Sequence, residues 1–583
     1  MGESATNANI LRLATGDSTN IGDDWMPASQ VRAFIFEDPI LVWLEHHGED
    51  NGFEKDTNPY DFADFIFEKG NQFERKWIEE MAPEAIQVCD HPWEARHSEK
   101  VEQTWELMRA GTPVISQGAL WWAPGKIYGV PDLMVRSSWL LERFPESISP
   151  DVALNTASNL GWHDGDGHYV VIDIKFTTKL DSSDKATSLR SYGAQVRIYT
   201  YILGSIQGYM PERCFLVQRK PVDSLLPVEI QSTIGASLDS DLLEMRNRYA
   251  AIKLSESSWQ PWNSVDMQPN MTNREDAPWH SAKSRISEEY VPGCELTSIH
   301  YVGPGLKEHL VSRGYPSRDK LVTASLSVSE LQTLPRIGAT IAPRIAIILE
   351  ANRLRELCPR KPTFVPSRPT HEYFVDFEFF TNVNVNFDEQ WPTLDGCEMI
   401  FVIGVGWEDD TGSWKFEKFI AETESSESEE RVLREFVEFL QKETGDDMER
   451  PSAVYLHHWS NAEASQMKRA ADRHDRSPDD LWRRLPWYDL QKEVFYKEPI
   501  GIPGAWDYEL KSVGQALNNY DPSVNLTWPA TLQEGLIAMV MGWKAYEQPN
   551  PTESQEMQAI IDYNEVDCKA MWSIVTWLRS RDA

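Results

Sequence analysis

An apolar, strand-like run that carries charged residues two positions apart occurs twice in this chain. "YVVIDIKFT" (169–177) holds Asp173 and Lys175, and "YFVDFEFF" (373–380) holds Asp376 and Glu378. Side chains alternate across a strand, so each charged pair shares one face while the flanking apolar residues share the other. Such a strand can lie at a sheet edge with a surface ion pair, or it can floor a site that uses charge. The residues elsewhere in the chain decide between the two.

The 583 residues suffice for three or four domains, each with its own core. Six cysteines (Cys89, Cys214, Cys294, Cys358, Cys397 and Cys568) are scattered with no C-x-x-C pair. Neither a zinc ribbon nor an iron–sulfur cluster is therefore expected, and a reducing, cytoplasmic setting is. The opening residues lack a basic start followed by an apolar core, and no run approaches the roughly 18 apolar residues of a membrane span. No signal peptide and no membrane insertion are expected. The formal net charge of −35 argues against loose coating of DNA, where phosphates demand Lys and Arg. It does not argue against a nuclease, which gathers carboxylates at its site.

Around the first charged strand the chain supplies partners. "KGNQFERKW" places Glu74 on a helical pattern, four residues after Gly70, and "YGVPDLMV" sets Asp132 at the start of an apolar run. Downstream, Gln195 and Tyr199 stand four apart in a helical pattern and share a face. Glu74, Gly-x-x-Asp132, Asp173-x-Lys175 and Gln195-x-x-x-Tyr199, in that order, resemble the RecB-like branch of the PD-(D/E)xK nucleases. The resemblance implies Mg²⁺ or Mn²⁺ held by Glu74, Asp132, Asp173 and the Ile174 carbonyl, hard oxygen donors that suit such ions. It implies that Lys175 orients water or offsets transition-state charge, and that Gln195 and Tyr199 line the site. In that branch the first position is often His; here Glu74 stands there.

The second charged strand has its own company. "DYNEVDCKAM" places Tyr563 and Asp567 four apart on a helical pattern, and "AVYLHHWSNAEASQMKRAA" reads as a strand and then a helix carrying Glu463. D-x-E early and Y-x-x-x-D late resemble the Tyr subtype of the DEDD exonucleases, which have an RNase H-like fold. Asp376, Glu378, Glu463 and Asp567 would then be metal ligands and Tyr563 would position water. Asp489 in "WYDLQKEVF" competes with Glu463 for the third acidic position. Two carboxylates about 4 Å apart repel by about 4 kcal/mol at an effective dielectric near 20. A pair of bound cations removes that cost and clamps the attacking and leaving oxygens.

Between these regions, "YVGPGLKEHLVSRGY" and "LPRIGATIAPRIAIILEANR" resemble tandem helix–hairpin–helix motifs, with Gly303, Gly305 and Gly338 in the turns. Such turns present bare helix N–H groups to DNA phosphate, and Arg336 and Arg344 are the expected contacts. Residues 301–370 contain three Lys and eight Arg against five acids, a local net of +6 in an acidic chain.

The expected fold class is multidomain α/β. A flexible tail (1–25) precedes a restriction-endonuclease-like PD-(D/E)xK domain (26–250). Then come a linker or strap (251–290), a small helical DNA-binding module (291–360) and an RNase H-like 3′–5′ exonuclease domain (368–583). The implied activity is metal-dependent hydrolysis of single-stranded or end DNA at two sites, in repair, recombination or defence. With no Walker A sequence, unwinding would come from a partner helicase. A DNA-end platform with silent sites, or an RNA-directed exonuclease, is the competing expectation.

Overall fold

The computed structural model describes residues 20–58, 60–177, 187–219, 223–230, 238–291, 295–360, 367–381, 398–450, 452–528 and 535–582. Most of the expected tail, residues 1–19, lies outside them. The chain divides into two compact units, Met1–Asp56 with Ile66–Val291, and Thr57–Phe65 with Pro292–Ala583. The expected helical module and exonuclease domain therefore belong to one unit.

The first unit is built on a sheet of six strands, in spatial as well as chain order: β1 (Ile86–Gln87), β2 (Val114–Ser116), β3 (Leu133–Arg136), β4 (Tyr169–Ile174), β5 (Arg213–Val217) and β6 (Leu225–Glu229). β4 runs antiparallel to β3 and parallel to β5, and all six of its residues are buried. The run is rich in β-branched Val and Ile, which suit an interior strand covered on both faces. An edge strand is thereby excluded. Helix α1 (Phe62–Met81) carries Glu74, and α2 (Thr187–Gln207) packs on β4 and β5. The last residue of α2 fixes its register. Gln207 accepts from the Tyr169 N–H (2.8 Å) and donates to the Tyr169 carbonyl (3.0 Å). With the end of α2 clamped to the start of β4, the middle of the helix faces the far end of the strand, where Asp173 and Lys175 emerge.

The second unit has a five-stranded sheet in the order β9-β8-β7-β10-β11, comprising β7 (His371–Phe380), β8 (Met399–Glu408), β9 (Trp414–Ile420), β10 (Val454–His458) and β11 (Trp487–Asp489). β7, β8 and β9 form an antiparallel meander, while β10 and β11 add in parallel. The helical module contributes α3 (Pro304–Ser312) and α4 (Ala342–Leu354) around a core of Leu306, Leu310, Leu331, Ile345 and Leu349. It is joined to the sheet by a two-bond bridge between Cys358 and Gly501 (2.8 and 3.0 Å) and by the His300 N–H on the Trp506 carbonyl (2.8 Å). Helices α5 (Ser426–Thr444), α6 (Ala462–Arg473) and α8 (Gln555–Asp582) pack on the sheet, as does the helix Gly535–Tyr546, and α7 (Leu510–Tyr520) packs on α8. The acidic run at 421–430 turns one member inward. Glu429 is fully buried, paired with Arg473 and His474, and accepts from the Ile400 N–H at 2.8 Å.

The 251–290 stretch is a strap of the first unit, not a spacer. Trp262 and Met267 are buried in it, and Lys283 is 1 % exposed. Its ammonium lies 3.1 Å from Asp38 and 2.5 Å from Asp276, and donates to the carbonyls of Asn270 (3.1 Å) and Asn273 (2.7 Å). Asp38 in turn accepts from the Asn270 N–H and the Asn273 amide, both at 2.9 Å. One buried cation thus ties the strap to the segment carrying Asp38. Removing one partner of a buried pair strands the other charge, at about 3–5 kcal/mol. Lys283→Ala should lower the urea-unfolding free energy of the first unit by that amount. An unfolding free energy within about 1 kcal/mol of the parent would show that the strap is held by its apolar residues alone.

Candidate active sites

In the second unit four acids from three elements gather at one end of the sheet. Asp376 and Glu378 project from one face of β7. Tyr563 and Asp567 share a face of α8, which packs against β7 and β8. Glu463 sits in the first turn of α6, where a helix N-terminus favours negative charge. The turn before α6 starts at His458, whose Nδ1 is 3.1 Å from Glu463 Oε2. Glu378, Glu463 and Asp567 are buried and Asp376 is half-buried. Burial pushes Asp376 and Glu378 well above the usual carboxylate range, and the charges of Asp567 and Glu463 push further the same way. Burial also raises Asp567, against hydrogen bonds from Trp528 (Nε1 to Oδ1, 2.6 Å) and Tyr563. The Tyr563 phenol is raised by burial and by its acidic neighbours, so it stays a proton donor. The Lys511 ammonium, at the start of α7, stands 4.6 Å from the centroid of the Tyr563 ring and opposes the shifts of Asp376, Glu378 and Asp567.

The Asp489 carboxylate accepts from the Lys492 N–H at 2.9 Å, as a cap on the following turn, whereas Glu463 is among the acids that raise Asp376, Glu378 and Asp567. Glu463, not Asp489, is the residue brought to the other three. Sequence reasoning missed Asn564. Its amide nitrogen donates to the Asp376 carbonyl (3.1 Å) and to Asp376 Oδ2 (2.7 Å). The one signal available was its position on the same helical turn as Tyr563 and Asp567.

In the first unit Glu74, Asp132, Asp173 and Lys175 meet at the carboxyl end of β4. Asp132 Oδ2 accepts from the Ile174 N–H at 2.6 Å, and Lys175 Nζ lies 2.6 Å from Asp173 Oδ2. Burial raises Asp132 well above the carboxylate range, reinforced by Asp173 and Glu74; burial raises Glu74 as well, with Asp173 adding to it. Burial disfavours the Lys175 ammonium, but Asp173 and Asp132 outweigh it and hold the proton more tightly than usual. Gln195 donates to the Tyr199 hydroxyl at 2.8 Å, and Tyr199 is buried. The glycine of "YGVPD" has a specific reason: a Cβ on Gly129 would overlap the Tyr199 ring. Gln117 also escaped the sequence reading. It has a left-handed backbone (φ 51°), and its amide donates to Glu74 Oε1 (2.5 Å) and approaches Asp132 Oδ1 (3.4 Å). Strain of that kind in a residue other than glycine collects at functional sites.

The helical module presents its turns to open space. A Cβ added at Gly303, Gly305 or Gly338 would meet nothing within 4 Å, and Arg336 is exposed, with φ 64°. Arg344 is a correction to the expected DNA contacts. It is 9 % exposed, and its guanidinium stacks 3.8 Å from the centroid of Tyr496 in the sheet domain. It lies on the face of α4 that must be covered, so it serves packing.

Comparison with known families agrees with part of this architecture. Residues 295–351 match the SAM-like helix-hairpin-helix tandem, and residues 392–579 match a family of the RNase H superfamily. The second unit therefore contains a helix–hairpin–helix tandem and an RNase H-like domain. The second match begins after β7, so Asp376 and Glu378 stand outside it, and neither match reaches the first unit. No curated protein and no solved structure matches the chain. Among the described residues no helix is long and apolar enough to cross a membrane.

RNase H-like nucleases use divalent metals, and the donors here suit one chemically: hard carboxylate oxygens that are buried and mutually repelling. As placed, and among the described residues, no three His, Cys, Asp or Glu side chains are grouped to hold an ion. The fit thus lies in the chemistry of the donor set. The electrostatics make it testable. Folded, Asp376, Glu378 and Asp567 hold protons more tightly than in an unfolded chain. Their contribution to stability is complete below the unfolded carboxylate range and is lost as pH rises through their folded values. A bound cation reverses that loss, by about 2.7 kcal/mol at a hundredfold excess over Kd. Mn²⁺ should therefore raise Tm more at about pH 8 than at about pH 5, and Asp376→Asn should shrink the difference. Equal shifts at both pH values, unchanged in Asp376→Asn, would contradict a cation site at this cluster.

Proposed function

We propose that this chain is a metal-dependent nuclease with two hydrolytic sites, acting on single-stranded DNA or DNA ends. The observation that carries the reading is the gathering of half-buried Asp376 with buried Glu378, Glu463 and Asp567 beside Tyr563 in a unit whose residues 392–579 match the RNase H superfamily. Those four acids would hold Mg²⁺ or Mn²⁺. When bound, such ions offset the acids' repulsion, polarise a phosphodiester and make water a stronger nucleophile. Tyr563, kept protonated and tied to Asp567, would orient the attacking water through its phenol oxygen. Removal of nucleotides from 3′ ends is the activity this DEDD-like set favours. The exposed turns at Gly303, Gly305 and Gly338, with Arg336 beside them, would hold the DNA backbone without reading its sequence.

The first unit is read as a RecB-like PD-(D/E)xK site, supported by the meeting of Glu74, Asp132, Asp173 and Lys175 at the end of one buried strand. There the three acids would hold the metal together with the Ile174 carbonyl. Lys175 is an ammonium paired with Asp173. Its role is to offset charge on the phosphorane-like transition state and to orient water. Gln195 and Tyr199 would buttress that lysine's side of the site. Duplex opening would fall to a partner helicase, and the setting would be repair, recombination or defence.

End-labelled single- and double-stranded DNA, and RNA of the same sequence, should be incubated with Mg²⁺ or Mn²⁺ and the intact chain, Lys175→Ala, Asp376→Ala or the double variant. Each single variant should lose a different set of DNA products, by at least about a hundredfold, and the double variant should be inert. Substrates left whole by the intact chain but retarded on a gel would replace this reading with a DNA-end platform. Preferential loss of the RNA would redirect it to an RNA-directed exonuclease.

A further inference from the structure

Asn564 is fully buried, and its two ends are treated unequally. The nitrogen grips Asp376 twice, at the main-chain carbonyl (3.1 Å) and at Oδ2 (2.7 Å). The oxygen, also buried, has no hydrogen-bond partner. Swapping the ends would aim Oδ1 at two acceptor oxygens of Asp376, so the orientation is fixed by chemistry. A buried polar atom left unpaired costs about 1–3 kcal/mol, which an apolar side chain of similar size would not incur. What Asn adds is therefore its donor end.

A second observation points the same way. Asp376 pairs across the antiparallel ladder with Gly404 of β8. A Cβ at position 404 would overlap Asn564 Oδ1, and it would crowd the Phe416 ring at 2.9 Å. The strand opposite Asp376 is thus hollowed out where the Asn564 amide has to lie. A glycine inside a strand weakens it, and such glycines mark close approach of another group. One turn of α8 then delivers Tyr563, Asp567 and Asn564 to the cluster, with Asn564 on Asp376 and also hydrogen-bonded to the Glu378 carboxylate. A second carboxamide, Gln117, reaches two acids in the unrelated first-unit site by the same kind of contact.

We propose that Asn564 is the positioning residue of the acidic cluster. By holding the main chain and Oδ2 of Asp376 together it fixes that side chain's rotamer, leaving Oδ1 as the oxygen offered to a divalent cation. Gly404 is the space that makes this possible. The proposal rests on the reading of the cluster as a cation site.

The test uses the full chain in an Asp173→Asn background, so that the first site does not contribute, with MnCl₂ titrated calorimetrically. Asp567→Asn in that background reports whether the heat belongs to the cluster. Asn564→Leu should keep its metal-free Tm within a few degrees of the parent and bind Mn²⁺ about 10–100-fold more weakly, the usual cost of losing a group that orients a ligand. Its hydrolysis of DNA should lose kcat with KM unchanged. Gly404→Ala, which replaces no acid and no hydrogen-bonding side chain, should weaken Mn²⁺ in the same direction. It also serves as the reading if Asn564→Leu does not fold. A parent whose heat disappears in Asp567→Asn, beside an Asn564→Leu or Gly404→Ala variant that binds Mn²⁺ as tightly as the parent, would overturn the positioning role alone. A parent with no heat that depends on Asp567 would overturn the cation site and the proposal together.

Discussion

A carboxylate taken out of water must find a positive partner or keep its proton, and this chain handles its buried acids in two ways. Glu372 is enclosed by His457 (2.7 Å) and by two nitrogens of Arg579 (2.6 and 2.9 Å). Burial would raise it, yet those hydrogen bonds hold it at about 2. Glu429 has Arg473 and His474, and Asp38 has Lys283. At the two strand ends the ratio is reversed. One lysine, Lys175, faces Glu74, Asp132 and Asp173; Lys511 opposes the shifts of three acids in the other cluster. Buried like charges raise one another's pKa, the direction seen for Asp132, Glu74, Asp376 and Glu378. Glu372 and Glu429 each have two basic partners, and the two strand-end groups have fewer cations than acids.

Each sheet solves the placement problem differently. In the first unit the buried strand β4 ends where its charged residues begin, and the Gln207 clamp aligns α2 so that Tyr199 and Gln195 stand over that end. In the second, β7 runs through the sheet, and α8 crosses it to bring Tyr563, Asn564 and Asp567 onto Asp376 and Glu378. Strands and long helices hold these residues, and the exposed glycine turns lie in the helical module of the same second unit.

Local spacing made much of this legible. D-x-E on an apolar strand and Y-x-x-x-D on a helix specify shared faces, and the glycine turns of the tandem are equally local. Long-range packing was not legible. Arg344 reads as a phosphate contact from its charge, but the face of α4 it occupies is covered by Tyr496. Lys283 sits in a polar, proline-containing stretch that reads as a linker, and only its contact with Asp38, far away in the chain, makes it a strap. The choice of Glu463 over Asp489 depends on which acid the turn after β10 aims inward, a matter of three-dimensional path. Asn564 and Gln117 are ordinary amides in sequence, and their meaning lies in what they touch.

The central claim is that both acid groups are cation sites. The most direct measurement is an anomalous difference map from crystals soaked in Mn²⁺. The account predicts peaks about 2–2.5 Å from carboxylate oxygens at two places, one among Asp376, Glu378, Glu463 and Asp567 and the other among Glu74, Asp132 and Asp173. A map with no peak at either cluster, under conditions where the acids are ionised, would contradict it.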